Sequence, residues 1–190
     1  MKKLENNFDN NKDSVKVWYE AARANAKAKL NITNGMAVPR IAKIVVNTGL
    51  KEAVSNSKIV AVASNVMSAV TGQKPVKAIA RKSIAGFKIR EGMPIGVFVT
   101  LRGKNMLHFL SKLINLSLPR IRDFQGVSRK LDGQGNYNLG IKDITVFPEA
   151  EAAGGADLSS GVNITIVTTA SEDSQASVLL ECLGMPFYRK

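Results

Sequence analysis

The residues from 81 to 94, which read R-K-S-I-A-G-F-K-I-R-E-G-M-P, combine the side chains that an RNA-binding loop needs. The cations of this run are Arg81, Lys82, Lys88 and Arg90. Long cations reach phosphate oxygens, a glycine such as Gly86 lets backbone approach a ligand, and an aromatic ring such as Phe87 can stack on an unpaired base. The pattern predicts a nucleic-acid-binding loop. The alternative is a charged hairpin tip on which Phe87 folds back as a plug.

A second set of polar side chains falls on one face of two predicted strands, residues 40–48 and 95–102. Alternation places Ala42, Ile44 and Val46 on a core face and leaves the other face polar. The polar face carries Lys43, Asn47, Phe98, Thr100 and Arg102. Hydroxyl, amide and cationic groups suit contacts with the RNA backbone and its 2′-hydroxyls. The alternative is an ordinary solvated outer face.

The run P-R-I-R-D-F-Q-G, residues 119–126, is a third candidate. Arg120 and Arg122 flank an apolar residue, and Asp123 could pair with either guanidinium. A structural turn clamp and a binding patch fit this pattern equally well.

The charge distribution points to a polyanionic partner. The chain has 190 residues, with 27 basic and 15 acidic side chains and a net charge of +12. Residues 31–130 contain 17 basic and 3 acidic side chains, whereas residues 131–190 contain 3 basic and 8 acidic ones. Positive charges in such excess would repel one another unless the middle segment faced a polyanion. The distribution therefore favours an RNA-binding role for these charges over a role in solubility alone.

Several other functions lack the residues they would need. One cysteine, Cys182, and one histidine, His108, cannot form a disulfide or a Cys/His zinc site. The basic segment holds only three carboxylates, none paired in sequence, and Gly133-Gln-Gly135 is an isolated G-x-G. No apolar run reaches the roughly 18 residues of a membrane span. We therefore expect a cytosolic, non-enzymatic protein without metal, cofactor or membrane contact.

Hydrophobic periodicity predicts alternating helices and strands. We expect helices over about 14–34, 57–71, 104–118 and 171–184, capped by Asp13 or Ser14, by Ser55–Ser57 and by Ser171. The third helix has an apolar stripe of Met106, Phe109, Leu110, Leu113 and Leu116. Strands are expected over 40–48, 74–82, 95–102, 137–141, 144–147 and 162–169, with a loop over 150–161.

This order predicts an α+β fold. We expect two layers: a mixed, mainly antiparallel sheet with helices packed on one face, and a long basic loop between two strands. Residues 1–13 are polar and Asn-rich and are predicted to be a disordered extension, and residues 14–190 to be a single RNA-binding domain.

Seven motifs stand in order between residues 38 and 190. They are G-Q-K-P at 72–75, A-R-K-S-I-A-G-F-K-I-R at 80–90, P-I-G-x-x-V-T-L-R-G at 94–103, L-P-R-I-R-D-F-x-G at 118–126, D-G-x-G-N-Y-x-x-G at 132–140, F-P-E at 147–149 and G-x-P-F at 184–187. Together they resemble the universal L-five family of bacterial large-subunit ribosomal proteins. The chain departs from the family pattern at Lys51, where glycine is customary, at Phe98, where a cation is common, and in the loop over 150–161.

The resemblance implies a structural subunit that binds 5S rRNA and anchors it in the central protuberance of the cytoplasmic ribosome. It implies further contacts with large-subunit rRNA, neighbouring protuberance proteins, P-site tRNA and a protein of the small-subunit head, and no homo-oligomer. The hypotheses from other classes are an enzyme acting on nucleic acid and an RNA chaperone outside the ribosome.

The family motifs, with the patterns above, assign three sets of residues. The expected 5S rRNA-binding set is Lys43, Asn47, Lys74, Lys77, Phe98, Thr100 and Arg102. The expected tRNA-binding loop contains Arg81, Lys82, Ser83, Gly86, Phe87, Lys88 and Arg90. The expected contact with the small subunit comprises Arg120, Arg122, Glu149 and Glu151, the two carboxylates facing a basic partner.

Overall fold

The computed structural model describes residues 14–54, 56, 58–155, 158 and 160–188. The predicted extension over residues 1–13 and the predicted caps Asp13, Ser55 and Ser57 lie outside this range. In the described part, no helix is long and apolar enough to cross a membrane.

Among the described residues, five strands form one sheet. They are β1 (Ile41–Gly49), β2 (Val76–Ile79), β3 (Pro94–Leu101), β4 (Tyr137–Ile141) and β5 (Val162–Thr168). Their order across the sheet is β2-β3-β1-β5-β4, and every neighbouring pair is antiparallel. The predicted sheet is therefore confirmed, and its described strands include no parallel pair.

Five α-helices accompany the sheet in the described residues. They are α1 (Ser14–Lys29), α2 (Lys58–Thr71), α3 (Gly103–Lys112), α4 (Pro148–Ala152) and α5 (Asp173–Cys182). Burial alternates along β1, where Ile44 and Val46 are fully buried and Lys43 and Asn47 are half-exposed. The buried side chains of the strands join those of the helices in one core, so the helices cover one face only. The α+β class is confirmed.

The topology brings two connections to the same end of the sheet. Residues 80–93 join β2 to β3, and residues 142–161 join β4 to β5, at the end where β1 finishes. Since β2 and β4 are the two edge strands, the connections are separated by the width of the sheet, about 19 Å for five strands at their usual spacing.

The predicted core face of β1 is wrong at its first residue. Ala42 is exposed and Ile41 is buried instead. The pairing of β1 with β5 shifts between Ile41 and Lys43, and a bulge of this kind turns one residue out of the alternation.

The predicted third helix is shorter than its periodicity suggests. The α-helix ends at Lys112 and continues as a π-helical turn, Leu113–Ser117, and a 3-10 turn, Leu118–Arg120. The wider turn changes which side chains face inward, so that Ile114 and Ser117 are buried and Leu116 is 50% exposed. Leu116 therefore does not belong to the apolar stripe.

Three further predictions of local structure are wrong. Residues predicted as a strand over 144–147 form a 3-10 turn, Ile144–Val146, because Ile144 and Phe147 are both buried and their spacing of three suits a turn. The predicted loop over 150–161 begins inside α4. Helix α5 begins at Asp173 with Glu172 as its N-cap residue, rather than at Ser171.

Candidate RNA-binding surfaces

The face of the sheet opposite the helices, here called the open sheet face, presents side chains in regular rows. The Phe98 row crosses all five strands, because Val76 pairs with Phe98, Phe98 with Asn47, Asn47 with Asn163 and Asn163 with Gly140. The next row contains Thr100, Val45, Thr165 and Asn138. Residues directly opposite each other in such ladders have Cα atoms about 4.5–5.5 Å apart. The polar residues predicted on β1 and β3 are thus brought together.

Two pairs of side chains bond across the open sheet face. The Nδ2 of Asn163 donates to the Oδ1 of Asn47 over 3.3 Å, and the hydroxyl of Thr165 donates to the Oδ1 of Asn138 over 2.7 Å. The bond between Asn47 and Asn163 uses the N–H₂ of Asn163 and the side-chain oxygen of Asn47. The N–H₂ of Asn47 and the side-chain oxygen of Asn163 therefore have no hydrogen-bond partner among the described residues.

Cations stand at the margins of this face. Lys43 is on β1, and Arg102 follows Leu101, which pairs with Ile44, so both cations lie at the same end of the sheet. Lys74 is exposed next to Gln73, whose side-chain amide donates to the Thr100 carbonyl over 3.4 Å. No strand of the described sheet contains an aspartate or a glutamate, so nothing on these strands opposes a polyanion.

Lys77 lies apart from the rest of the predicted 5S rRNA-binding set. It pairs with Val97, which is buried under the helices, so its side chain leaves the sheet on the helix side. It is exposed because β2 is an edge strand.

The predicted tRNA-binding loop is a narrow hairpin held by backbone hydrogen bonds. Its base is closed by Ala80 and Met93, and its tip by reciprocal bonds between Ile84 and Ile89 of 2.9 and 3.2 Å. The predicted residues of this loop are all exposed, namely Arg81, Lys82, Ser83, Gly86, Phe87, Lys88 and Arg90.

The tip of this hairpin displays its aromatic side chain to solvent. A 3-10 turn spans Ala85–Phe87, and Lys88 follows in the left-handed region with φ of 54°. Phe87 is 70% exposed, so it does not fold back as a plug. The turn presents Phe87 and Lys88 next to each other at the end of a defined backbone.

The predicted small-subunit contact divides into an internal and an external part. The Oε1 of Glu149 accepts a hydrogen bond of 2.8 Å from Lys112, whose ammonium also donates to the Val70 carbonyl. Burial acts to raise the pKa of Glu149, but the hydrogen bond from Lys112 and the positive charges of Lys112 and Arg120 outweigh it, so this pKa is lowered. Glu149 thus ties α4 to α2 and α3, while Glu151 is exposed.

The two arginines of this set border an open cleft of about 690 Å³. Lys142 and Asp143, which follow the end of β4, line the cleft together with Arg120 and Arg122. The surface around the cleft therefore carries both signs of charge, with cations in excess.

Sequence reasoning missed the half of the open sheet face that β4 and β5 contribute. Asn163 and Thr165 alternate with buried Ile164 and Ile166, so their outward orientation was readable from the strand pattern. Their position beside Asn47 was not, because that pairing joins residues 116 positions apart. Lys142 was missed because its position at the cleft with Arg120 and Arg122 also depends on tertiary structure.

Comparison with known proteins decides the family. Residues 34–90 match the family described as Ribosomal protein L5, and residues 94–187 match the model of the C-terminus of the same ribosomal family. The chain belongs to the ribosomal protein L5 family. This assignment confirms the resemblance found in the sequence motifs.

Relatives from several organisms match over most of their length. The large ribosomal subunit protein uL5 of Acidobacterium capsulatum is 54% identical over 160 residues, which cover 84% of this chain and 87% of the relative. The proteins of the same name from Halothermothrix orenii and Dictyoglomus thermophilum are 54% and 56% identical over 160 residues, covering 84% of this chain and 89% of each relative.

Family membership makes the chain a structural protein of the large ribosomal subunit, at the ribosome in the cytoplasm, and not an enzyme. The predicted non-enzymatic role and location are therefore confirmed. The hypothesis of a nucleic-acid enzyme is set aside, as is that of a chaperone working apart from the ribosome.

Proposed function

We propose that this chain binds 5S rRNA through the open sheet face and anchors it in the central protuberance. The observation that carries the proposal is the face itself, which is uncovered by helices, rich in amides and hydroxyls, flanked by cations and without carboxylates on its strands. A ribose 2′-hydroxyl both donates and accepts, and the Asn47–Asn163 pair offers one free donor and one free acceptor. The family assignment supports RNA as the ligand.

Binding should depend strongly on salt. If about five to eight phosphates are neutralised, affinity should fall by roughly two to four orders of magnitude between 50 and 200 mM salt. A titration of the full chain with 5S rRNA from the same organism, set against an unrelated structured RNA of equal length, measures this. Equal affinity for the two RNAs would refute the proposal.

Two variants separate the amide contact from the phosphate contact. Asn47→Ala removes one side of the amide pair and should cost about 1–3 kcal/mol of binding free energy with little change in the salt slope. Arg102→Ala should reduce the slope by about one unit. Lys29→Ala, an exposed cation on α1, is the matched control and should change neither. A loss of affinity for the control as large as for Arg102→Ala would place the RNA elsewhere.

The hairpin over residues 80–93 is proposed to contact P-site tRNA, independently of 5S rRNA. It leaves the end of the sheet, so its tip lies beyond the rows of the open sheet face. Exposed cations and Phe87 at the tip suit the phosphates and an unstacked base of a tRNA arm.

The contact with the small-subunit head is proposed to involve the cleft beside β4. Glu151 and the two arginines Arg120 and Arg122 are available at the surface, whereas Glu149 is bonded to Lys112. Crosslinking from Glu151→Cys and Arg122→Cys in whole ribosomes should reach a protein of the small-subunit head. Crosslinks confined to rRNA would count against this contact.

A further inference from the structure

Strand β3 carries an exposed aromatic ring on the open sheet face that the core does not explain. Phe98 is 37% exposed and its row neighbour Val76 is 56% exposed. Neither belongs to the buried core, which lies on the other side of the sheet. Their cross-strand pairing makes a small apolar area among amides and hydroxyls.

The row next to Phe98 is exposed at Gly49, where an added Cβ would meet nothing within 4 Å, and buried at Gly96. Ala78 pairs with Gly96 and Gly96 with Gly49, so this glycine row has no side chain larger than a methyl group. A Cβ on Gly96 would come within 2.6 Å of the Thr48 carbonyl oxygen, which requires glycine there. The exposed backbone at the Gly49 end of this row, here called the shelf, lies diagonally across from Phe98, which pairs with Asn47 two residues earlier on β1.

The chemistry around the shelf fits a nucleotide. An aromatic ring offers its face to any base, and base stacking of this kind does not depend on sequence. Next to Phe98 in its own row, the Asn47–Asn163 pair presents a free donor and a free acceptor, which match a ribose hydroxyl. Phosphates can reach Arg102 and Lys74 at the margins, and no strand carboxylate repels them.

We propose that Phe98 is a stacking platform for one unpaired base of the bound RNA, which lies over the glycine row with its ribose on the Asn47–Asn163 pair. A paired base has both faces covered by its neighbours in the helix, so the platform selects a nucleotide in a loop, bulge or end. This inference rests on the proposed binding of 5S rRNA to the open sheet face and names the kind of nucleotide bound there.

The test compares the affinity of 5S rRNA for the full chain and its variants at several salt concentrations. Phe98→Ala should weaken binding by about 5- to 150-fold, the range of 1–3 kcal/mol for one stacked base. Phe98→Trp should bind within a few-fold of the wild type, because indole also stacks. The salt slope should stay unchanged in Phe98→Ala, because a stack releases no counterion.

Two variants control for the position of the ring and for the open space. Tyr188→Ala removes an aromatic of greater exposure from the C-terminal segment and should leave 5S rRNA affinity unchanged. Gly49→Val adds a side chain to the shelf where an added Cβ meets nothing within 4 Å, so the fold should persist while binding weakens by at least about 5-fold, the lower end of the loss expected for one stack. Circular dichroism and thermal unfolding verify that each variant is folded.

The outcomes are distinct. Wild-type affinity in Phe98→Ala, together with a loss in Asn47→Ala, would overturn the platform and leave the proposed function standing. Wild-type affinity in Phe98→Leu together with a loss in Phe98→Ala would show that an aliphatic contact suffices, which also overturns stacking. A wild-type chain that does not prefer 5S rRNA over unrelated RNA would overturn the proposed function itself.

Discussion

Replacing the three side chains at the hairpin tip should separate two activities of one protein. The triple variant Phe87→Ala, Lys88→Ala and Arg90→Ala removes an aromatic ring and two cations from the surface of the hairpin. The hydrogen bonds that close the hairpin join backbone atoms, among them the reciprocal pair between Ile84 and Ile89, so alanine leaves them in place. Surface changes of this kind alter the free energy of unfolding by less than about 0.5 kcal/mol each.

The functional loss should fall on tRNA alone. Losing two phosphate contacts and one stack should weaken the retention of P-site tRNA by about 1–3 kcal/mol, which speeds its dissociation by roughly 5- to 150-fold. Affinity for 5S rRNA should stay at the wild-type value, because the hairpin projects from the end of the sheet beyond the rows of the open face.

Two assays on the same variant measure this separation. Incorporation into large subunits reports assembly, and dissociation of labelled tRNA from the P site reports the hairpin contact. The double variant Val17→Ala and Lys29→Ala, exposed on α1, is the control and should match the wild type in both assays. Failed incorporation, with normal tRNA dissociation from the few particles that form, would show that the hairpin serves rRNA assembly and would refute the reasoning.

Two further predictions concern stability. Lys112→Met removes the bonds to Glu149 and to the Val70 carbonyl and should lower the free energy of unfolding at pH 7 by about 1–3 kcal/mol. Because the pKa of Glu149 is lowered in the fold, the difference in free energy of unfolding between the wild type and Lys112→Met should shrink as the pH falls below about 4.5. Urea unfolding of both proteins at pH 7 and pH 3 measures this difference, and an equal difference at the two pH values would contradict the prediction. Burial raises the pKa of Tyr137 to about 12, and its hydroxyl donates to the Ser128 carbonyl over 2.7 Å. The stability that the protonated hydroxyl contributes is complete below about pH 10 and is lost toward about pH 12. The free energy of unfolding of Tyr137→Phe should therefore fall less between these pH values than that of the wild type. An equal fall in both proteins would contradict this prediction.

Local pattern was enough to predict most of the sheet. The strands β1, β3, β4 and β5 were predicted within one residue of their observed ends, since each alternates buried and outward side chains over at least five residues. The predictions failed where a local irregularity changes the period. The bulge after Ile41 exposes Ala42, and the π-helical turn exposes Leu116, and neither has a marker in composition.

The candidate site was predictable only in part, for a related reason. The motifs and alternation placed Asn47, Thr100 and Phe98 on one face, because β1 and β3 each show their pattern within a short window. Which strand lies on the other side of β1 is a question of long-range pairing, so the contribution of Asn163 needed the structure. The shelf beside Phe98 likewise arises from glycines on different strands.

The most direct test of the account is to find which face of the sheet meets 5S rRNA inside the large subunit. With Cys182 replaced by serine, a single cysteine at Asn138 on the open sheet face or at Ala61 on α2 carries an iron chelate that generates hydroxyl radicals. The account predicts cleavage of 5S rRNA from position 138 and little or none from position 61. Strong cleavage of 5S rRNA from position 61, with none from position 138, would contradict it.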